Sequence, residues 1–161
     1  MKVVEYHPWK IMCDVEATIR AYQVIEQGDP ERCGCDMCLN YIAQRKTVYP
    51  DEFVSVLNLL GIDFEKEGEV YHIYRLSNGR HHYGGWYHCV GELEYLDNTY
   101  KPDDKKKVGD KFWQINKEFS WRVTDEKISL PHTAFQDQGP LLQIDFRVEV
   151  PWVVSAVEPG D

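Results

Sequence analysis

Between Leu142 and Val150 apolar and polar residues alternate strictly. Leu142, Ile144, Phe146, Val148 and Val150 fall on one side; Gln143, Asp145, Arg147 and Glu149 fall on the other. A period of two predicts a strand with one face in the core and one in water, as in an antiparallel sheet. Pro151 ends its ladder. Nearer the front the period is helical. Val15, Ile19, Tyr22 and Ile25 form a stripe behind Asp14, a capping residue, and Gly28-Asp29-Pro30 closes that helix. A short helix is expected over 36–44. Another starts at Pro50, whose missing N–H needs no partner in a first turn, with Asp51 and Glu52 at its positive end. Phe53, Val56, Leu57 and Leu60 form its buried stripe, and Gly61 stops it.

From Glu69 the pattern turns to β. Runs over 71–77 and 80–96 flank Asn78-Gly79, a strong hairpin signal because both residues tolerate positive φ. A two-residue loop there pairs Ser77 with Arg80, Arg75 with His82, Ile73 with Gly84 and His72 with Gly85. Phe119–Thr124 reads as a further strand. The fold class expected is α+β, with N-terminal helices packed on a C-terminal, mainly antiparallel sheet, and residues 1–161 as a single domain.

Composition narrows the partners. A hydrophobic fraction of 43% and an aromatic fraction of 13% belong to a folded chain. The net charge of −9 argues against nucleic acid, which needs a basic surface, and against an anionic membrane. Lys105-Lys106-Lys107 reads as a solvated loop. The first residues lack the apolar run of a secretory signal, and no stretch is long and apolar enough to span a bilayer. A cytoplasmic location is expected, and there clustered thiols serve as metal ligands or redox groups more often than as disulfides.

The candidate chemistry lies in Cys33-Gly34-Cys35-Asp36-Met37-Cys38. Cys35 and Cys38 have the C-x-x-C spacing that lets two thiolates reach one ion, and Gly34 permits the turn that adds Cys33. A helix starting near Asp36 would favour thiolate at its N-terminal end. Tetrahedral zinc needs a fourth ligand. Cys13, Cys89, His81, His82 and His88 are candidates, and Cys89 is the one taken here. A redox or reactive thiol pair and plain packing at a helix start remain the alternatives.

A second unusual run is Arg80-His81-His82-Tyr83-Gly84-Gly85-Trp86-Tyr87-His88. His81 and His82 point to opposite faces, and His82 and His88 lie about 20 Å apart along a strand, so the hairpin alone holds no multi-histidine site. Bare backbone at Gly84-Gly85 leaves room for a side chain to lie across the strand, or for a bulge. His82, Trp86 and His88 suit a recognition surface for a protein partner; an aromatic core sheet is the alternative.

The cysteine run through Asn40, with Tyr49-Pro50, Leu60-Gly61-Ile62-Asp63, Glu69-Val70-Tyr71 and Tyr83–Gly91, resembles a family of uncharacterised bacterial proteins. The resemblance covers most of residues 30–95, with Val150-Pro151-Trp152 as a weaker echo. It implies a bacterial, cytoplasmic protein of one α+β domain, and it carries over no catalytic residue. The chain has no phosphate loop, dinucleotide fingerprint or nucleophile elbow. The functions left are a zinc domain, a non-enzymatic interaction module and a thiol redox protein.

Overall fold

A computed structural model describes residues 1–102 and 111–160. Lys105-Lys106-Lys107 lies outside the described residues. The chain opens with a hairpin of β1 (Lys2–Tyr6) and β2 (Trp9–Cys13) that turns over His7-Pro8. Five helices follow among the described residues: α1 (Val15–Val24), α2 (Asp29–Cys33), α3 (Asp36–Ile42), α4 (Arg45–Val48) and α5 (Asp51–Leu59). The rest is β3 (Glu69–Arg75), β4 (His81–Tyr95), β5 (Trp113–Asn116), β6 (Phe119–Thr124) and β7 (Leu141–Val150), with short 3-10 turns at Asn98–Tyr100 and Thr133–Phe135.

The seven strands among the described residues join one sheet in the order β1-β2-β4-β7-β6-β5, with β3 also paired to β4, and every pairing is antiparallel. The long strand β4 organises it. One edge pairs with β7 from His81 to Val90. The other pairs with β3 as far as Trp86 and with β2 from Gly91 onward. Helix α1 fills the gap between them: Tyr22 Oη donates to the His88 carbonyl at 2.9 Å, and the Val90 N–H donates to Thr18 Oγ1 at 3.0 Å.

The fold class is the expected α+β, with helices on the N-terminal side and strands toward the C-terminus. Asp14 caps α1 through a 3.0 Å bond from the Ala17 N–H. Pro50 is the N-cap of α5, and the stripe Phe53, Val56, Leu57 and Leu60 is buried. Phe53 meets Phe119 at 4.7 Å and Trp121 at 5.4 Å between ring centroids, and Tyr41, Tyr49 and Tyr87 ring Phe146. The core is thus an aromatic layer between α3–α5 and one face of β4, β7 and β6.

Four expectations need correction. The N-terminal hairpin was not expected. Ile19 is 40% exposed, so α1 buries Ala17, Thr18, Ala21 and Tyr22 instead of a stripe through Ile19. The turn after β3 is a three-residue loop, Ser77-Asn78-Gly79. The Gly79 N–H donates to the Leu76 carbonyl at 2.9 Å, Gly79 has a φ of +83°, and Arg75 pairs with His81. A type I turn followed by a left-handed glycine makes this loop. A bulge at Ile73 then shifts the register again, so Tyr71 pairs with Gly84 and Val70 with Gly85. Last, the polar side of β7 is not in water along its whole length. Gln143 and Asp145 are buried, held by a 2.6 Å bond between them, by Arg122 on Asp145 at 2.6 Å and by the Ser129 N–H on Gln143 at 2.6 Å. The segment after β6 covers that side, and buried polar groups tolerate the cover because they satisfy one another.

Candidate metal centre

The cysteine run occupies the junction of α2 and α3. Pro30 opens α2 without needing an N–H partner, and Gly34 closes it at a φ of +63°, donating its N–H to the Pro30 carbonyl at 3.0 Å. Only glycine takes this left-handed step at little cost. The chain reverses there, so Cys33 and Cys35 come back toward the same side. Cys35 is the N-cap of α3, and its Sγ accepts the Cys38 N–H at 3.5 Å. The Sγ atoms of Cys33, Cys35 and Cys38 all lie within 4.8 Å of one another. Zinc–sulfur bonds of about 2.3 Å at tetrahedral angles would place sulfurs about 3.8 Å apart, so a small contraction suffices. The three thiols can hold one metal ion.

Cys33 and Cys35 are exposed; Cys38 is buried beneath them. Burial pushes the Cys38 thiol well above its ordinary range, and hydrogen bonding to the other two sulfurs adds to this. At Cys35 burial also opposes ionisation, but the Cys38 N–H and the neighbouring thiols outweigh it and bring the group down. Of these two thiols, Cys35 therefore ionises before Cys38.

The scaffold beneath is polar and well fastened. Tyr83 Oη on β4 donates to the Met37 carbonyl at 2.8 Å. Asn40, fully buried, donates to the Pro151 carbonyl at 3.1 Å and accepts the Val153 N–H at 2.8 Å. Arg45 reaches Glu31 of α2 at 2.5 Å and buried Glu67 at 2.7 Å. Burial raises Glu67 to about 7, while Arg45 opposes that rise. From Glu67 a chain of buried hydroxyls runs inward: Tyr41 Oη donates to its Oε1 at 3.0 Å, Tyr41 and Tyr49 bond to each other, and Tyr49 and Tyr87 are 2.7 Å apart. Sequence reading missed Asn40, Arg45, Glu67 and Tyr83 as supports. Only Asn40 and Tyr83 fall inside motifs that reading had marked.

The other site candidates lie elsewhere. Cys89 is buried on β4 and hydrogen-bonds to Cys13, whose Sγ also reaches the Leu60 carbonyl at 3.4 Å. Tyr83 is the residue of β4 under the cysteine helix, and Cys89 is six residues farther on, about 20 Å along a strand. Cys89 does not join the three thiols. His81 is enclosed between His72 at 2.8 Å and Glu158 at 2.8 Å, so it too is engaged apart from them. His88, expected on a recognition surface, is only 2% exposed and bonds Gln143 Oε1 at 3.2 Å; burial lowers its pKa. His82 and Trp86 are half-buried, stacked edge-on to Tyr74 and tilted against Tyr71 respectively.

Comparison with protein-family profiles, curated proteins and solved structures found no match. Among the described residues no helix is long and apolar enough to cross a membrane.

Proposed function

We propose that the protein binds a metal ion through Cys33, Cys35 and Cys38, with zinc as the ion. The convergence of three thiols within 4.8 Å supports this reading. Thiolate is a ligand zinc favours, and α2 and α3 are already anchored by Glu31, Met37 and Asn40, so the sulfurs need little reorganisation. Three ligands come from one six-residue turn and the fourth from outside this set, a water in the simplest case. The ion's role is to lock α2 against α3. It does not tie the turn to the sheet, because Cys89 is engaged with Cys13.

Elemental analysis of reduced protein purified without added metal tests this. About one equivalent of zinc is expected, and a Cys35→Ser/Cys38→Ser variant should carry none. Wild-type protein that carries no bound zinc and takes up none on dialysis overturns the reading.

One observation favours a second function. Tyr71 and Tyr74 are 39% and 51% exposed on the face of β3–β4 away from the helices, beside half-buried His82 and Trp86. Such amphipathic rings suit contact with a protein partner. Affinity capture from host lysate with wild type and Tyr74→Ala tests it; a capture with nothing specific to the wild type counts against it.

A further inference from the structure

Among the described residues no imidazole, carboxylate or further thiol joins the three sulfurs into a larger ligand group. Two of the sulfurs face solvent and the third lies beneath them. The site is therefore a three-sulfur cradle open on one side. Its surroundings are acidic. Asp29 and Glu31 lie on α2 and Asp36 on α3; Arg32 faces Asp29 at 3.9 Å and Arg45 of α4 reaches Glu31 at 2.5 Å, so the two arginines offset two of these three carboxylates. The whole chain carries a net charge of −9.

These features set two requirements on an ion. It must be satisfied by three sulfurs, and it should leave little charge on a partly buried acidic site. Zinc on three thiolates leaves one negative charge and an unfilled position. A monovalent soft ion such as Cu(I) leaves two negative charges. A trivalent thiophile leaves none, and its lone pair takes the fourth direction. An uncompensated buried charge is costly, so the neutral product is favoured.

We propose that the Cys33–Cys35–Cys38 cradle is a binding site for trivalent arsenic, taken up as arsenite in a three-coordinate all-sulfur complex. One arsenous acid molecule, As(OH)3, condenses with three thiols. Three S–H and three As–O bonds break; three As–S and three O–H bonds form. Three waters leave, arsenic stays trivalent, and no net proton or electron is exchanged. The exposed Cys33 and Cys35 make the first bonds, and the buried Cys38 closes the complex. The inference shares its three sulfurs with the zinc reading but not its ion, so the two can fail separately.

The test uses the full reduced chain under anaerobic conditions, with arsenite as the probe. Native mass spectrometry should show one arsenic per chain, bound with the loss of three waters. Arsenite should also displace zinc from zinc-loaded protein. Cys33→Ser, at an exposed position that leaves the fold intact, and Cys38→Ser should each weaken arsenite binding by about 100-fold, the order expected when one arm of a linked ligand set is removed. Circular dichroism checks that both variants are folded. Undiminished affinity in either variant would show two-thiol capture and overturn the proposal. Zinc uptake with no arsenite uptake overturns it and leaves the zinc reading standing; arsenite uptake without zinc does the reverse.

Discussion

Arg45 holds its guanidinium 2.7 Å from a carboxylate oxygen of Glu67, and both side chains are almost fully enclosed. The pair forms the floor beneath α2, since Arg45 also grips Glu31. Arg45 favours the charged carboxylate, yet burial wins and lifts Glu67 to about 7. In an unfolded chain a glutamate titrates near its ordinary value of 4.5. Between those values the folded state binds the extra proton, so this group's contribution to stability is fully present below pH 4.5 and is lost as pH rises through 7.

Chemical denaturation of wild type and Glu67→Gln across that window isolates the effect. The wild type should lose on the order of 2–3 kcal/mol relative to the variant as pH rises from 4.5 to 8. The difference is needed because His72, His82 and His88 are lowered by burial and act in the opposite sense. Parallel pH profiles for the two proteins would show that Glu67 does not titrate in this window.

Thiol accessibility gives a second prediction. Cys33 and Cys35 are exposed, Cys38 is buried beneath them, and Cys13 and Cys89 are sealed in the core. The thiolate is the reactive form, and Cys35 is the member of the cluster whose ionisation is favoured over that of Cys38. Timed alkylation of the native protein at neutral pH should therefore modify Cys33 and Cys35 first, Cys38 more slowly, and Cys13 and Cys89 only on unfolding. Peptide mapping reads the order. Early labelling of Cys89 would contradict its place in the core.

The adjacent Gly84 and Gly85 of β4 should differ in tolerance. A Cβ on Gly85 would come within 2.5 Å of the Phe146 ring and 2.6 Å of the Glu69 carbonyl, both fixed in the core. A Cβ on Gly84 would meet the end of Tyr71, which is partly exposed and can swing away. Gly85→Ala should cost about 1–3 kcal/mol, the usual range for overpacking, and Gly84→Ala clearly less. Thermal or urea unfolding distinguishes them; equal costs would mean that Tyr71 is as firmly held as Phe146.

Much of this was legible where the information is local. The α5 stripe, the Asp14 cap, Phe119–Thr124 and the alternation in β7 all follow from periods that a short window carries. The thiol cluster was legible for the same reason: one glycine turn brings Cys33, Cys35 and Cys38 together. What failed was long-range or depended on one-residue offsets. The β1–β2 hairpin turns at His7-Pro8 without a strong turn pair. The three-residue loop and the bulge at Ile73 moved each partner opposite β4. Cys89 fell to Cys13, a neighbour across strands, and Arg45 met Glu67 from 22 positions away with no pattern to announce it. The polar side of β7 was read as solvated because nothing in its own residues reveals the segment that covers it.

Asn40 links the cysteine helix to the end of the chain, and its removal should be felt there. Its amide donates to the Pro151 carbonyl at 3.1 Å, while its carbonyl accepts the Val153 N–H at 2.8 Å. In Asn40→Ala the Pro151 carbonyl keeps a donor, because Gln44 Nε2 reaches it at 2.9 Å. The Val153 N–H loses its acceptor. Val153 is itself exposed, so water can take over its N–H, and the expected cost is about 0.5–1.5 kcal/mol, the net worth of one hydrogen bond. Hydrogen exchange should accelerate at Val153 and through 152–156, where Trp152 Nε1 donates to the Ala156 carbonyl at 2.9 Å. Exchange in β6, on the far side of β7, should stay as it was. The cysteine cluster also rests on Tyr83 and Arg45, so ion stoichiometry should be unchanged. Loss of ion binding in Asn40→Ala would show that the C-terminal segment holds the cradle in shape, while unchanged exchange at Val153 would show that the segment is held by other contacts.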